Sequence, residues 1–162
     1  MNDSVKLLVV DDEREFLEAM AERLELRGLE VRTAENGESA LALCAGEKFD
    51  IALVDLKMPG MDGHELLARL KAEHRHLEVI VLTGHGSSGS AFDCAKSGAF
   101  AYLPKPYEID DLMAVVRDAY RERLARKLAT NRERLVELAR VCQGATVQEI
   151  LIKMREMDDG ER

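Results

Sequence analysis

Ile51-Ala52-Leu53-Val54-Asp55-Leu56-Lys57-Met58-Pro59-Gly60-Met61-Asp62-Gly63 begins as an apolar run, meets a carboxylate at Asp55, and breaks into a turn with one proline and two glycines. Ile51 to Val54 reads as a strand buried on both faces, and Asp62 to Glu73 as the helix that follows the turn. The same alternation repeats on either side. Val5 to Val10 is a first strand and Arg14 to Leu26 a helix with Phe16, Leu17, Met20 and Leu24 on one side; Glu30 to Ala34 is a second strand, and Asn36-Gly37 opens a second helix. After the central unit come a strand over Val79 to Leu82, a weak small-residue helix over Ser88 to Ser97, a short strand over Ala99 to Leu103, and a fifth helix from Ile109. Strands joined by helices of this length run parallel, with helices on both faces. The expected fold is an open, doubly wound α/β sheet.

Composition agrees. The chain has 162 residues, 46% of them hydrophobic, with 23 Lys+Arg against 31 Asp+Glu for a net charge of −8. That describes a soluble acidic domain able to build its own core. The longest apolar runs fall far short of the roughly 18 residues a membrane span needs, and Met1-Asn2-Asp3-Ser4 is not the start of a signal peptide, so a cytoplasmic location is expected. Cys44, Cys94 and Cys142 have neither disulfide nor zinc spacing and read as small buried hydrophobes.

In sheets of this kind ligands bind outside the carboxyl ends of the strands. Those ends carry Asp11 and Asp12 after the first strand, Asp55 after the third, Thr83 after the fourth and Lys105 after the fifth. Carboxylates crowded within about 4 Å repel by about 4 kcal/mol per pair at an effective dielectric near 20, so they neutralise, separate or share a cation. Oxygen-only donors without His or Cys select Mg²⁺, which keeps open positions for water and phosphate. Lys105 can then act as a point cation on a phosphoryl oxygen and the Thr83 hydroxyl can donate to another, with either Asp55 or a bound anion as acceptor. Taken singly, each residue has an ordinary explanation, such as Asp12 capping the following helix. The set of five does not.

The segments Val9-Val10-Asp11-Asp12, Leu53 to Gly63, Leu82-Thr83-Gly84-His85-Gly86 and Ala101-Tyr102-Leu103-Pro104-Lys105-Pro106 together resemble the receiver domains of two-component response regulators. The resemblance covers residues 4 to 120 and implies a five-stranded sheet in the order 2-1-3-4-5. It implies that Asp55 is phosphorylated from the phosphohistidine of a sensor histidine kinase or phosphotransfer protein. Asp11, Asp12, Asp55 and the backbone carbonyl of Lys57 would hold Mg²⁺, and Thr83 and Lys105 would clasp the phosphoryl oxygens. It further implies a cis Lys105–Pro106 bond and a switch in which Thr83 draws on Tyr102. Gly84 would leave the approach to Asp55 open and His85 would flank the entrance; His64, His74 and His76 read as surface positions. The domain would be a phosphoacceptor and not an enzyme with its own substrate.

Residues 117–162 carry 11 Lys+Arg and 9 Asp+Glu, while residues 1–116 carry 12 and 22. Nothing breaks the fifth helix before Gly144, so it is expected to run to about residue 142, near 50 Å in length. Leu124, Leu128, Asn131, Leu135, Leu138 and Cys142 step at coiled-coil spacing, with Asn131 as a register-setting polar residue, and a capping box at Thr146 to Glu149 opens a short helix over about 146–157. This gives a receiver over 1–120 and a helical extension over 121–162, expected to form a homodimer or dock on an unknown effector protein. A nucleic-acid partner is not expected, because Glu122, Glu133 and Glu137 interleave the basic residues, and no membrane partner is expected from such short apolar runs. The rival readings are a receiver-like adaptor that never carries phosphate, a nucleic-acid regulator acting through Arg117 to Arg140, and an aspartyl-intermediate phosphohydrolase; flavin binding is disfavoured by Asp11-Asp12 where a phosphate-cradling loop would sit.

Overall fold

The computed structural model describes residues 4–84, 96–143 and 146–160. Its five parallel strands are β1 (Lys6–Val10), β2 (Glu30–Ala34), β3 (Ile51–Asp55), β4 (Glu78–Thr83) and β5 (Ala101–Pro104), in the order β2-β1-β3-β4-β5. Helices α1 (Arg14–Glu25), α2 (Gly37–Gly46), α3 (Gly63–Glu73), α4 (Ile109–Lys127), α5 (Arg132–Val141) and α6 (Val147–Asp159) complete the elements among the described residues. The expected small-residue helix falls largely on residues 85–95, outside the described residues, as do His85 and Cys94.

Period-two alternation along the buried strands sorts the core into two layers. Leu7, Val9, Ile51, Leu53, Ile80 and Leu82 pack toward α1 and α4. Leu8, Val10, Ala52, Val54, Val79 and Val81 pack toward α2 and α3. Because both faces are covered, β3 and β4 are buried along their whole length, which explains the unbroken apolar runs at 51–54 and 79–82. Local chemistry starts the helices where expected. Asn36 accepts a hydrogen bond from the Ser39 amide, and Asp62 from the Glu65 amide at 2.9 Å. Gly63 is required for a different reason: a Cβ there would lie 2.6 Å from the Asp55 carbonyl oxygen. The third helix thus starts pressed against the end of β3.

The long fifth helix is not continuous. The helix starting at Ile109 stops at Lys127, the chain turns through Leu128 to Thr130, and Asn131 caps a separate helix by accepting from the Arg134 amide at 3.1 Å. An Asn side chain satisfies the backbone outside a helix better than within one, so Asn131 marks a boundary and not a coiled-coil register. The leucine seam is covered within the chain. Leu124, Leu128 and Leu138 share one core with Ile150, Leu151, Met154 and Met157 of α6, while Leu135 and Cys142 pack at its edge. The Thr146–Glu149 capping box is present, and α6 runs from there to Asp159. Cys44 is buried as expected, and burial, aided by the Glu73 carboxylate, pushes its thiol up to about 11.

A buried polar cluster fastens α6 beneath the sheet. Asp158 is fully buried and accepts from the Tyr120 hydroxyl at 2.6 Å, from Arg123 at 2.8 Å and from Lys127. Arg155 reaches Asp50, just before β3, at 3.2 Å, and Asp50 also accepts from the Lys6 amide at 2.8 Å. Burial alone would raise the Asp158 pKa. Hydrogen bonds from Lys127 and Tyr120 and the charge of Arg123 outweigh it and hold the carboxyl below the usual range. A depressed folded-state pKa stabilises the fold above the unfolded value near 3.9, and that contribution is lost as pH falls through the folded value. Asp158→Ala is expected to destabilise the chain by about 3–5 kcal/mol, lowering Tm by about 10 °C at neutral pH, because it leaves buried cations without their anion. Chemical and thermal unfolding from pH 7 to pH 3 measure this, and the difference between the two proteins should shrink as the solution is acidified.

Candidate functional site

The site lies at the carboxyl ends of the strands. Leaving β1, the Asp11 amide donates to the Ala34 carbonyl at 3.1 Å, and the Asp11 side chain accepts from the Glu13 amide at 2.9 Å. These bonds fix Asp11 in a buried position, while Asp12 turns outward to solvent. Asp55 closes β3 opposite Leu82 of β4, and Thr83 lies one residue further along, buried at the same rim. The Lys105 amide donates to the Thr83 carbonyl at 2.7 Å, and Lys105–Pro106 is cis, as expected.

Four of the charged side chains meet. Carboxylate oxygens of Asp11, Asp12 and Asp55 all lie within 4.8 Å of one another. Lys105 Nζ sits 3.1 Å from Asp11 and 3.5 Å from Asp55. One ammonium against three carboxylates leaves the rim negative. Burial, then the charges of Asp11 and Asp12, raise the Asp55 pKa against the opposing pull of Lys105. Burial would lower the Lys105 pKa, but Asp11 and Asp55 reverse that and raise it, so the ammonium stays charged. The donor set suits a hard divalent cation: oxygens alone, closely grouped, with excess negative charge.

Lys57 lies in the exposed turn after β3, where its main chain borders the acidic group in sequence. Tyr102 is half-buried on β5 opposite Val81, with its hydroxyl 3.1 Å from Ser97 Oγ. Because Val81 and Thr83 are two residues apart on β4, Thr83 and Tyr102 project to the same face of the sheet. A Cβ on Gly84 would meet nothing within 4 Å, consistent with an open approach. His64 and His76 are exposed as expected, whereas His74 is half-buried.

Two neighbours were not legible as site residues. The Phe16 ring lies 4.7 Å beneath Lys105 Nζ, an arrangement that steers the ammonium by cation–π attraction. In the sequence Phe16 is one apolar position of an amphipathic helix among several. Tyr107, after the cis proline, has a buried hydroxyl, and burial together with the Asp11 charge pushes its pKa up.

The family model for the response regulator receiver domain matches residues 7–117. The chain belongs to the response regulator receiver family. It is 41% identical over 111 residues to the DNA-binding transcriptional regulator NtrC of Salmonella typhimurium, covering 68% of this chain and 24% of that protein. With the response regulator protein FleR of Pseudomonas aeruginosa it shares 37% identity over 113 residues, covering 70% and 24%. The chain thus spans about a quarter of the length of these curated relatives. Among solved structures, a receiver domain protein from Clostridium thermocellum superposes with a TM-score of 0.68 at 36% identity, over 73% of this chain and 95% of that one. The response regulator TrrA of Thermotoga maritima, solved in complex with Mg²⁺ and BeF, gives 0.64 at 32%, over 71% and 98%.

A raised folded-state carboxyl pKa works against the fold as pH climbs from the unfolded value toward the folded one. Asp55→Asn is therefore expected to raise Tm at neutral pH in metal-free buffer, with the gain disappearing below about pH 4, where the unfolded carboxyl is protonated too. Melting curves with a chelator across that range test it; a Tm at pH 7 lower than wild type would contradict the electrostatic account.

Proposed function

We propose that Asp55 accepts a phosphoryl group from a phosphohistidine of a sensor kinase or phosphotransfer protein, with Asp11, Asp12, Asp55 and the Lys57 carbonyl as ligands of Mg²⁺. The supporting observation is Lys105, which bridges Asp11 and Asp55, two of three closely grouped carboxylates. The Mg²⁺–BeF complex of the TrrA relative lends weight to the same chemistry here.

An Asp55 carboxylate oxygen forms the new P–O bond as the P–N bond to the donor imidazole breaks, with the bonding pair returning to the nitrogen. Charge then builds on three equatorial oxygens. Lys105 exchanges a carboxylate for one of them, and the Thr83 hydroxyl donates to another. Both groups are already held at the rim by the Lys105–Thr83 main-chain bond, so little reorganisation is needed. When bound, Mg²⁺ would offset the charge shared by the carboxylates and the incoming phosphoryl oxygens. The resulting acyl phosphate alters Thr83 and, through the shared face, the packing of Tyr102. Output passes by contact of the β5 and α4 surface with an effector protein or a second copy of the chain, in a cytoplasmic setting.

A second reading, with nucleic acid as the target, is favoured by the naming of the NtrC relatives as DNA-binding regulators. It predicts duplex binding that weakens steeply with salt.

Incubation with acetyl phosphate and Mg²⁺ is expected to add about 80 Da to the intact mass, the increment of one phosphoryl group. The gain should vanish in Asp55→Asn and with chelator, while Lys105→Ala should leave it slow and incomplete. A chain that keeps its original mass with every small donor is the adaptor of the rival reading. Continuous hydrolysis of an external phosphoester would instead mark a phosphohydrolase.

A further inference from the structure

A cavity of about 460 Å³ opens at the end of the sheet opposite Asp55. Its walls come from the segments just before β3 and β4, from the end of α2, and from Arg123 and Lys127 of α4. The last two lie beyond residues 7–117, so the helical extension completes a chamber that the family-matched part of the chain would not close.

The lining is cationic. Lys48 and Arg75 are exposed at the cavity, and Arg123 and Lys127 form its α4 side. Two acids also line it: Glu47, approached by Lys6 at 3.7 Å and by Arg32 at 3.6 Å, and Glu73, 3.9 Å from the His74 ring. Burial first, then the charges of Arg123, Arg75, Lys127 and Arg126, push the His76 pKa down, as a local positive field requires.

Two buried polar atoms on lining residues lack hydrogen-bond partners. Arg123 has only 9% of its surface exposed; its terminal nitrogens are taken by Asp158 and Asp50, and its Nε has no partner. His74 Nε2 is likewise buried and without a hydrogen-bond partner. Both atoms are closed off from solvent, so an anion in the cavity meets the exposed cations and not these nitrogens. Phe49 and Leu77 add buried apolar side chains to the same wall.

We infer that this cavity binds a small molecule bearing a phosphate group. Lys48, Arg75 and Lys127 draw the anion in and donate to it, and Phe49 and Leu77 face the organic part of an ester. The size falls in the roughly 300–1,000 Å³ range of small-ligand sites and favours a mononucleotide-sized ligand over a protein surface. Since Lys127 also holds Asp158, ligand occupancy and the docking of α6 share that cation.

The test uses the full chain carrying Asp55→Asn, in chelator, so that the opposite rim cannot report phosphate. Inorganic phosphate, AMP, GMP and adenosine are titrated by calorimetry, and the titrations are repeated with Lys48→Glu and Arg75→Glu, both at exposed positions that leave the core untouched. Saturable binding of a phosphate-bearing probe, at least about tenfold weaker in the double charge reversal, is expected. Binding of AMP or GMP above phosphate assigns an ester, and equal binding assigns the inorganic ion. Adenosine binding as well as AMP, affinity indifferent to the charge reversals, or no saturation by about 10 mM overturns the inference.

Discussion

Three carboxylates held within 4.8 Å of one another at the end of a parallel sheet repel, and the fold must hold them together regardless. Lys105 offsets part of the repulsion, but it reaches two of the three and leaves the rim negative. The remainder is borne by strands buried on both faces, whose ends have no freedom to splay. Asp11 and Asp55 are placed by backbone bonds of β1 and β3 that cannot be broken without exposing the core. That stored repulsion suits the site to a cation and a phosphoryl group, since both relieve it.

The opposite end of the sheet carries the complementary arrangement. There a carboxylate, Asp158, is surrounded by Arg123, Lys127 and Tyr120, and Arg155 ties Asp50 to the same cluster. A buried ion cluster is weak evidence for net stability compared with an apolar core, yet removing one partner is strongly destabilising. Its consequence here is positional. The cluster fixes how far α4 extends and where α6 lies, and so ties the extension to the start of β3, whose other end is Asp55.

The strands and the rim were legible in the sequence because each depends on local pattern: apolar runs buried on both faces, acids and Lys105 at their ends, and Asp62 and Asn36 as caps. The break after Lys127 was not. The leucine spacing continues through it, and periodicity reports which face is apolar but not whether the partner is another chain or a later helix of the same one. Asn131 fits a coiled-coil position and a helix cap equally well as a letter; the Leu128 to Thr130 turn decides between them. The Arg155–Asp50 contact spans 105 residues, a separation at which no local signal exists.

The same contacts account for the local basicity of residues 117–140. Arg123 and Lys127 face Asp158, Arg126 pairs with Glu78, Arg117 and Arg121 approach Asp118, and Arg134 reaches Glu137 and the Met157 carbonyl. A nucleic-acid surface needs cations free to replace condensed counterions along a phosphate backbone. Here Arg123, Arg126, Lys127 and Arg134, half of the eight basic side chains, are committed across helix–helix and helix–sheet contacts, and Arg117 and Arg121 pair within their own helix. The positive charge of residues 117–140 thus serves, in large part, to fasten the helical extension to the sheet and to itself.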